Sequence, residues 1–393
     1  LPIAILEQAV QQLLSHHDAL RFRYKLTDHG WEQSYGTDGI RIDREDLQSV
    51  PAADLAGAIT ACCDSYQRSL DIVNGPLIRV VSLQTPSFSV NNRLLLVIHH
   101  LAVDGVSWRI LLEDLELLLK GLYNGEIVSL GRKSSSYREW YHSLTAYSTG
   151  KRLQLQLPYW TQQAEHHQPL PVDNNVSSRI TTSDIHYHEV RLDKSYTSHL
   201  LHNSNQAYQT EITDLLLGAL LKTLSEWSLQ DSVTIGLENH GRAPFIAGSD
   251  VSRTVGWFTS LYPVKLSYER GVGLSGVIKS IKEQLRQVPD NGLGYGVLKY
   301  LHRSAALQQP SSWDIVFNYL GQTDNVLGKS GWLGASEESA GATSDEGRPV
   351  QEKLLLNSFI QDGSLVMSWG YSSKHYSSET VLRLSNTYIT DLV

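Results

Sequence analysis

Cysteine is almost absent: the chain holds only Cys62 and Cys63, side by side. Adjacent thiols make poor disulfide partners and a poor metal pair. That excludes a disulfide-stapled scaffold and leads us to expect a reducing, cytoplasmic setting. No apolar run is long enough to span a bilayer, and the opening LPIAILEQAV lacks the basic region and cleavage site of a signal peptide. The formal net charge is −8 and no Lys/Arg cluster offsets it, which argues against a nucleic-acid partner. Zinc-ligand spacings, a P-loop and a dinucleotide fingerprint are all missing. The one Gly-rich string, PDNGLGYG at 289–296, does not follow a strand-like run and makes a weak phosphate cradle.

What is present fits a soluble globular α/β protein of two or three domains: 393 residues, 41% hydrophobic and 19% charged. Apolar spacing predicts helices over 3–16, 54–69 and 106–123, and strands over 20–25, 77–84 and 93–99. A second α/β region follows, with strands at 186–192, 232–237 and 261–267 and helices at 212–227 and 274–287. Further strands are expected at 313–319 and through 353–370. Residues 166–185 are low in apolar content and carry two prolines, so they read as a linker between a lobe at 1–165 and a lobe at 186–393. Two α/β lobes are the economical architecture.

The most informative stretch is RLLLVIHHLAVDGVSWRILLE at 93–113. A histidine pair alone says little, since His16-His17 and His166-His167 occur in surroundings that suggest no chemistry. His99-His100 differ because an apolar strand precedes them and an Asp-Gly turn and an amphipathic helix follow. Loops at strand ends, held by a rigid scaffold, commonly present reactive side chains. If the strand continues through both histidines, His99 and His100 point in opposite directions.

HHLAVDGVSWRILLEDLE resembles the HHxxxDG core of the nonribosomal peptide synthetase condensation superfamily, and VSWRILLEDL is closer to its epimerization branch. Four more stretches agree, in the family's order: LENHGR at 237–242, DVSRTVGWFTSLYPV at 250–264, PDNGLGYG at 289–296 and VFNYLGQTD at 316–324. Asn239, Ala243 and Thr323 depart from the branch's pattern. The family's opening segment is missing, so the chain is expected to be one domain of a much longer synthetase. The resemblance implies two chloramphenicol-acetyltransferase-like lobes forming a V-shaped pseudo-dimer with a central tunnel. It also implies a peptidyl carrier protein (the upstream thiolation domain) that delivers substrate on 4'-phosphopantetheine, and a downstream condensation domain. No cofactor or metal bound by this domain itself is expected, and no membrane or nucleic acid as partner.

Inverting an amino acid's α-carbon means removing its hydrogen from one face and returning one on the other. The thioester carbonyl can hold the charge as an enolate, so two proton-handling groups and a donor to the enolate oxygen suffice. By resemblance, His100 and Glu238 are the proton carriers and Tyr319 the donor, with Asn318 able to serve as well. His99, Asp104, His240, Arg242 and Arg253 are read as supporting residues. Asp104 is expected to cap backbone N–H groups or pair with a cation, for which Arg242 and Arg253 are both open. Trp108 and Trp257 read as core or tunnel wall. Two other functions stay open at this point: a condensation domain forming peptide bonds, and a docking platform without activity.

Overall fold

Apolar residues three and four apart turn Ile3–His16 into helix α1, whose buried stripe is Leu6, Ala9, Val10, Leu13 and Leu14. In the computed structural model, every residue is described except 38, 166, 205–207, 243–248, 310–312 and 323–330. The chain folds as two compact units, one of Leu1–Tyr141, Gly248–Phe258 and Asn325–Ser344, the other of His142–Ala247, Thr259–Asp324 and Asp345–Val393.

In the first unit, β1 (Phe22–Thr27) and β2 (Gly30–Tyr35) form an antiparallel hairpin. A separate three-stranded sheet pairs β3 (Asp43–Asp46) parallel to β4 (Ile78–Gln84), and β4 antiparallel to β5 (Arg93–Ile98). Helix α2 (Ala52–Gln67) covers one face, where Leu55, Ile59 and Cys63 meet Val81, Leu83, Leu95 and Val97. Helix α3 (Gly105–Tyr123) packs on α1, and together they enclose a core that takes in Leu94, Leu96 and Ile98 from the other side of β5. Strand β5 is therefore covered on both faces, as its unbroken apolar run predicts. Burial raises both cysteine thiols, with Cys62 pushed up to about 11, so neither is a ready nucleophile.

The second unit is built on a six-stranded sheet. A short antiparallel pair, β6 (Ile180–Thr181) with β11 (Pro349–Val350), lies apart from it. The sheet comprises β7 (Ile185–Leu192), β8 (Ser232–Asn239), β9 (Ser260–Ser267), β10 (Ile315–Gln322), β12 (Leu354–Gln361) and β13 (Ser364–Ser372). Their order is β7-β13-β12-β10-β8-β9; β10 runs parallel to both β8 and β12, and the other pairs are antiparallel. Leu354, Leu356, Ser358 and Ile360 are buried, while Leu355, Asn357 and Phe359 between them are half-buried. The buried face carries Trp369, whose ring meets Tyr388 of the helix Ser378–Leu392, and the Tyr388 hydroxyl donates to Leu216 O of the helix Ile212–Ser228.

The units do not divide at residue 165. Residues 142–165 belong to the second unit, and 248–258 and 325–344 to the first. The stretch read as a linker lies inside the second unit, where Ile180 and Thr181 pair with Val350 and Pro349. Its low apolar content marks a short edge strand and irregular chain rather than a boundary. The strands expected through 353–370 form a hairpin, turned at Asp362 and Gly363, both with positive φ.

Candidate functional site

Strand β5 stops at Ile98, and the histidine pair begins something new. His99 is the N-cap of a single 3₁₀ turn, His100–Ala102, its Nδ1 accepting the Leu101 N–H at 3.1 Å. The expectation of two histidines alternating along a continuing strand is thus corrected: the chain turns at His99 because its own side chain satisfies the next free donor. Burial first, and the neighbouring His100 second, hold the His99 imidazole below its ordinary value. That suits an Nδ1 that accepts a hydrogen bond. His100 itself is exposed, with its ring 4.7 Å from that of Trp257 at 53°.

Asp104 is 3% exposed and N-caps α3. Its Oδ1 accepts from Ser107 N at 2.7 Å and its Oδ2 from Phe258 N at 3.1 Å. Ser107 Oγ donates to Gly256 O at 2.9 Å and accepts from Gly256 N at 3.1 Å. The last three of these bonds stitch the 250–258 stretch onto the helix that follows the histidine loop. Gly256 is required there, because a Cβ would lie 2.5 Å from Tyr137 Cδ2. The Tyr137 hydroxyl donates to Trp257 O at 2.7 Å, which fixes the residue whose indole covers one side of His100.

Arg253, one of two expected partners for Asp104, goes elsewhere. It holds Glu113 at 3.1 Å and Asp114 at 2.5 Å. Burial works against its charge, but the two carboxylates outweigh it and raise its pKa. Asp114 also receives His17 Nε2 at 2.8 Å, with both residues almost fully buried. His17, whose sequence surroundings suggest no chemistry, is thus part of an internal His–Asp–Arg network. No local signal announces it, since its partner lies 97 residues away.

In the second unit, Glu238 stands near the C-terminal end of β8 and Asn318 beside it on parallel β10, one residue beyond the Leu237–Phe317 pair. Asn318 Nδ2 donates to Glu238 Oε2 at 2.6 Å. The C-terminal ends of parallel strands are where open α/β sheets place ligand chemistry. Strand alternation puts Tyr319 on the other face, with Phe317 and Ser358. Tyr319 is half-buried, and burial raises its phenol. The residue brought to Glu238 is therefore Asn318, not Tyr319. Asn239 also points away from Glu238, since alternation along β8 puts it on the opposite face, with Leu237. His240 folds over the next turn, its Nδ1 accepting from Arg242 N at 3.1 Å, while Gly241 takes a φ of 67° that favours glycine. Arg242 is 9% exposed. Ala243 and Thr323 lie outside the described residues.

PDNGLGYG is a structural knot. Asp290 accepts from the Tyr147 hydroxyl at 2.6 Å and from Gln156 Nε2 at 2.7 Å, and it pairs with Arg152. Burial alone would raise its carboxyl, but these donors hold it down. Among the described residues, no group of His, Cys, Asp and Glu is arranged to hold a metal ion, and no helix is long and apolar enough to cross a membrane.

A mixed α/β sheet fold in two units, with a histidine loop in one and a carboxylate–amide pair in the other, defines a class. A family model described as Condensation domain matches residues 1–392. The chain belongs to the condensation-domain family. A linear gramicidin synthase polypeptide from Brevibacillus parabrevis is 38% identical over 398 residues, covering 99% of this chain and 5% of that protein. Tyrocidine synthase 1 from the same organism is 34% identical, covering 98% of this chain and 36% of its own length. The chain thus spans under a tenth of the gramicidin synthase polypeptides it matches, 5% and 8% for two of them. The solved epimerization domain from the third module of tyrocidine synthetase B superposes with a TM-score of 0.90 at 33% identity, covering 100% of this chain and 88% of that one. The condensation domain of Monacolin K polyketide synthase gives a TM-score of 0.77 at 15% identity, again over 100% and 88% of the two chains, which speaks to fold alone. The fold is the chloramphenicol-acetyltransferase-like, two-lobed α/β fold of these proteins.

Proposed function

We propose that this domain inverts the α-carbon of an aminoacyl or peptidyl thioester borne on the phosphopantetheine arm of a peptidyl carrier protein, within a nonribosomal peptide synthetase. The observation that carries the reading is Glu238, held by Asn318 at the C-terminal end of two parallel strands. Forming an amide bond asks for no such carboxylate, whereas inversion needs a second proton carrier. Likeness to a solved epimerization domain across the whole chain supports the same choice.

In this scheme one of His100 and Glu238 takes the proton from Cα, and the electron pair moves into the thioester carbonyl to give an enolate. The other group returns a proton to the opposite face, and the pair exchanges protons with water before the next turnover. Each residue serves as base in one direction and acid in the other. Asn318 positions the carboxylate, Trp257 positions the imidazole, and Asp104 holds the loop that presents it. Tyr319, on the far face, has no part in the proton transfer.

The test is a carrier protein loaded with an L-aminoacyl or L-peptidyl group deuterated at Cα, incubated with the domain, then hydrolysed for chiral analysis and mass spectrometry. Inversion with loss of label is expected. Amide formation with a loaded acceptor and no inversion would favour condensation, the reading the family description itself names. Neither reaction would leave a docking role.

A further inference from the structure

The face of the second unit's sheet that carries Glu238 also carries a polar row running straight across five strands. Glu238 stands beside Asn318, Asn318 pairs with Asn357, Asn357 with Ser368, and Ser368 with Glu189. On either side the central strands carry apolar pairs, Val316 with Leu355 on one and Phe359 with Val366 on the other, the latter followed by the exposed Arg191 at the sheet edge. A polar line between apolar lines on a half-covered face is not what packing alone selects, since buried amides cost stability unless they are bonded.

Three members of the row are already engaged. Asn318 donates to Glu238, and Glu189 accepts from Arg191 Nε at 2.9 Å. The Asn357 amide and the Ser368 hydroxyl are half-buried and have no hydrogen-bond partner among the described residues. Adjacent strands lie about 4.8 Å apart, so Asn357 sits roughly 10 Å from Glu238 along the row. An asparagine offers a donor and an acceptor together, the complement of a secondary amide, and the serine hydroxyl can do either.

Taking the inversion reading as given, we propose that Asn357 and Ser368 form a binding position for a secondary amide of the carried substrate, leading away from the reacting carbon at Glu238. Such amides occur in the pantetheine arm and in the peptidyl chain. Both are within reach of a carbon held at the carboxylate: peptide amides recur every ~3.5 Å along an extended chain, and in the arm each amide follows the thioester sulfur or the preceding amide by only two methylenes.

The experiment compares the parent domain with Asn357→Leu, Asn357→Gln and Ser368→Ala. Inversion is measured on three substrates: an aminoacyl carrier protein, a peptidyl carrier protein, and an aminoacyl N-acetylcysteamine thioester, which keeps only the first amide of the arm. Binding is measured separately by calorimetry, using aminoacyl and peptidyl pantetheine whose thioester sulfur is replaced by NH and so cannot turn over. Asn357→Leu should raise KM and weaken calorimetric binding by about tenfold, the worth of one hydrogen bond, with kcat and the final D:L ratio unchanged. Asn357→Gln should recover part of the loss. A defect confined to peptidyl substrates assigns the position to the peptide. A defect on both carrier substrates that is absent with N-acetylcysteamine assigns it to the outer amide of the arm. Unchanged KM and affinity in both Asn357→Leu and Ser368→Ala would overturn the proposal, as would loss in kcat alone. If Asn357→Leu does not fold, Ser368→Ala and Asn357→Gln decide on the same criteria. Calorimetry keeps the two readings apart, since intact binding that depends on Asn357 in a domain that inverts nothing would remove the epimerase reading alone.

Discussion

Asp104 looks like a third catalytic acid, yet its bonds make it a structural one, and the difference is measurable. The carboxylate is 3% exposed and accepts two backbone N–H groups, Ser107 at the start of α3 and Phe258 at the end of the 250–258 stretch. Removing an N-cap costs about 1 kcal/mol, and stranding a second buried donor costs about 1–3 kcal/mol more. Asp104→Ala should therefore cost about 2–4 kcal/mol, lowering the melting temperature of the first unit by roughly 4–16 °C at the sensitivity usual for 150–250 residues. Asp104→Asn divides the two contributions. Its carbonyl can still cap Ser107, but its NH₂ would face the Phe258 N–H, donor against donor, so roughly half the loss should remain. Differential scanning calorimetry on the three proteins, with inversion rates alongside, gives the order parent, Asn, Ala. A melt unchanged in Asp104→Ala together with lost inversion would refute the reasoning and return Asp104 to the chemistry.

His100→Ala and Glu238→Gln should each lower inversion by about 10²–10⁴-fold with no change in melting, and a variant that inverts at the parent rate would lose its assigned role. Asn318→Ala should cost about tenfold or more, as befits a hydrogen bond to a charged group, while Tyr319→Phe stays near the parent; equal losses in the two would mean the strand-face argument fails. Gly256→Ala forces a Cβ to 2.5 Å from Tyr137 Cδ2 and should destabilise the first unit by roughly 1–3 kcal/mol in urea titration. His99 supplies a pH dependence. Burial sets its folded pKa below the ordinary 6.5, so its stabilising contribution is whole above that value and is lost as pH falls through the depressed one. His99→Asn keeps an acceptor for Leu101 N but cannot titrate, so the parent's melting temperature should fall more steeply than the variant's between roughly pH 7 and 5; parallel curves would show that His99 contributes nothing to the acid sensitivity.

Much of the fold was legible because it is local. Strand β5 and helix α3 announce themselves through an unbroken apolar run and a helical apolar spacing, and both lie where the sequence places them. Local pattern fails where burial is sparse or partners are distant. Apolar spacing predicts no helix at Tyr137–Ser148, a tract rich in Ser, Tyr and Trp that is helical. The helix Ser378–Leu392 was also missed, though Ser377, whose hydroxyl accepts from Thr380 N, and Glu379 in the first turn mark its start. Unit boundaries failed for a different reason. No composition shift can reveal that 250–258 folds with the first unit, because that depends on Asp104 and Ser107 meeting its backbone some 150 residues later.

For the site, residue type and motif order located the players, but roles depend on which face and which partner. Asn318 and Tyr319 are neighbours in the chain and equally eligible on paper as donors to an enolate or a carboxylate. Only the register of β10 against β8, with Phe317 beside Leu237, puts one at Glu238 and the other across the sheet. The same register extends the polar row to Asn357, a residue the family motifs do not contain. Two groups of different origin therefore meet on one face: a carboxylate found by motif, and an amide without a hydrogen-bond partner among the described residues, found only by counting strands. If the first handles the proton, the second lies where a tethered substrate's amides must pass. Asn357 is for that reason a sharper test of substrate placement than His100 or Glu238, whose loss changes the chemical step itself.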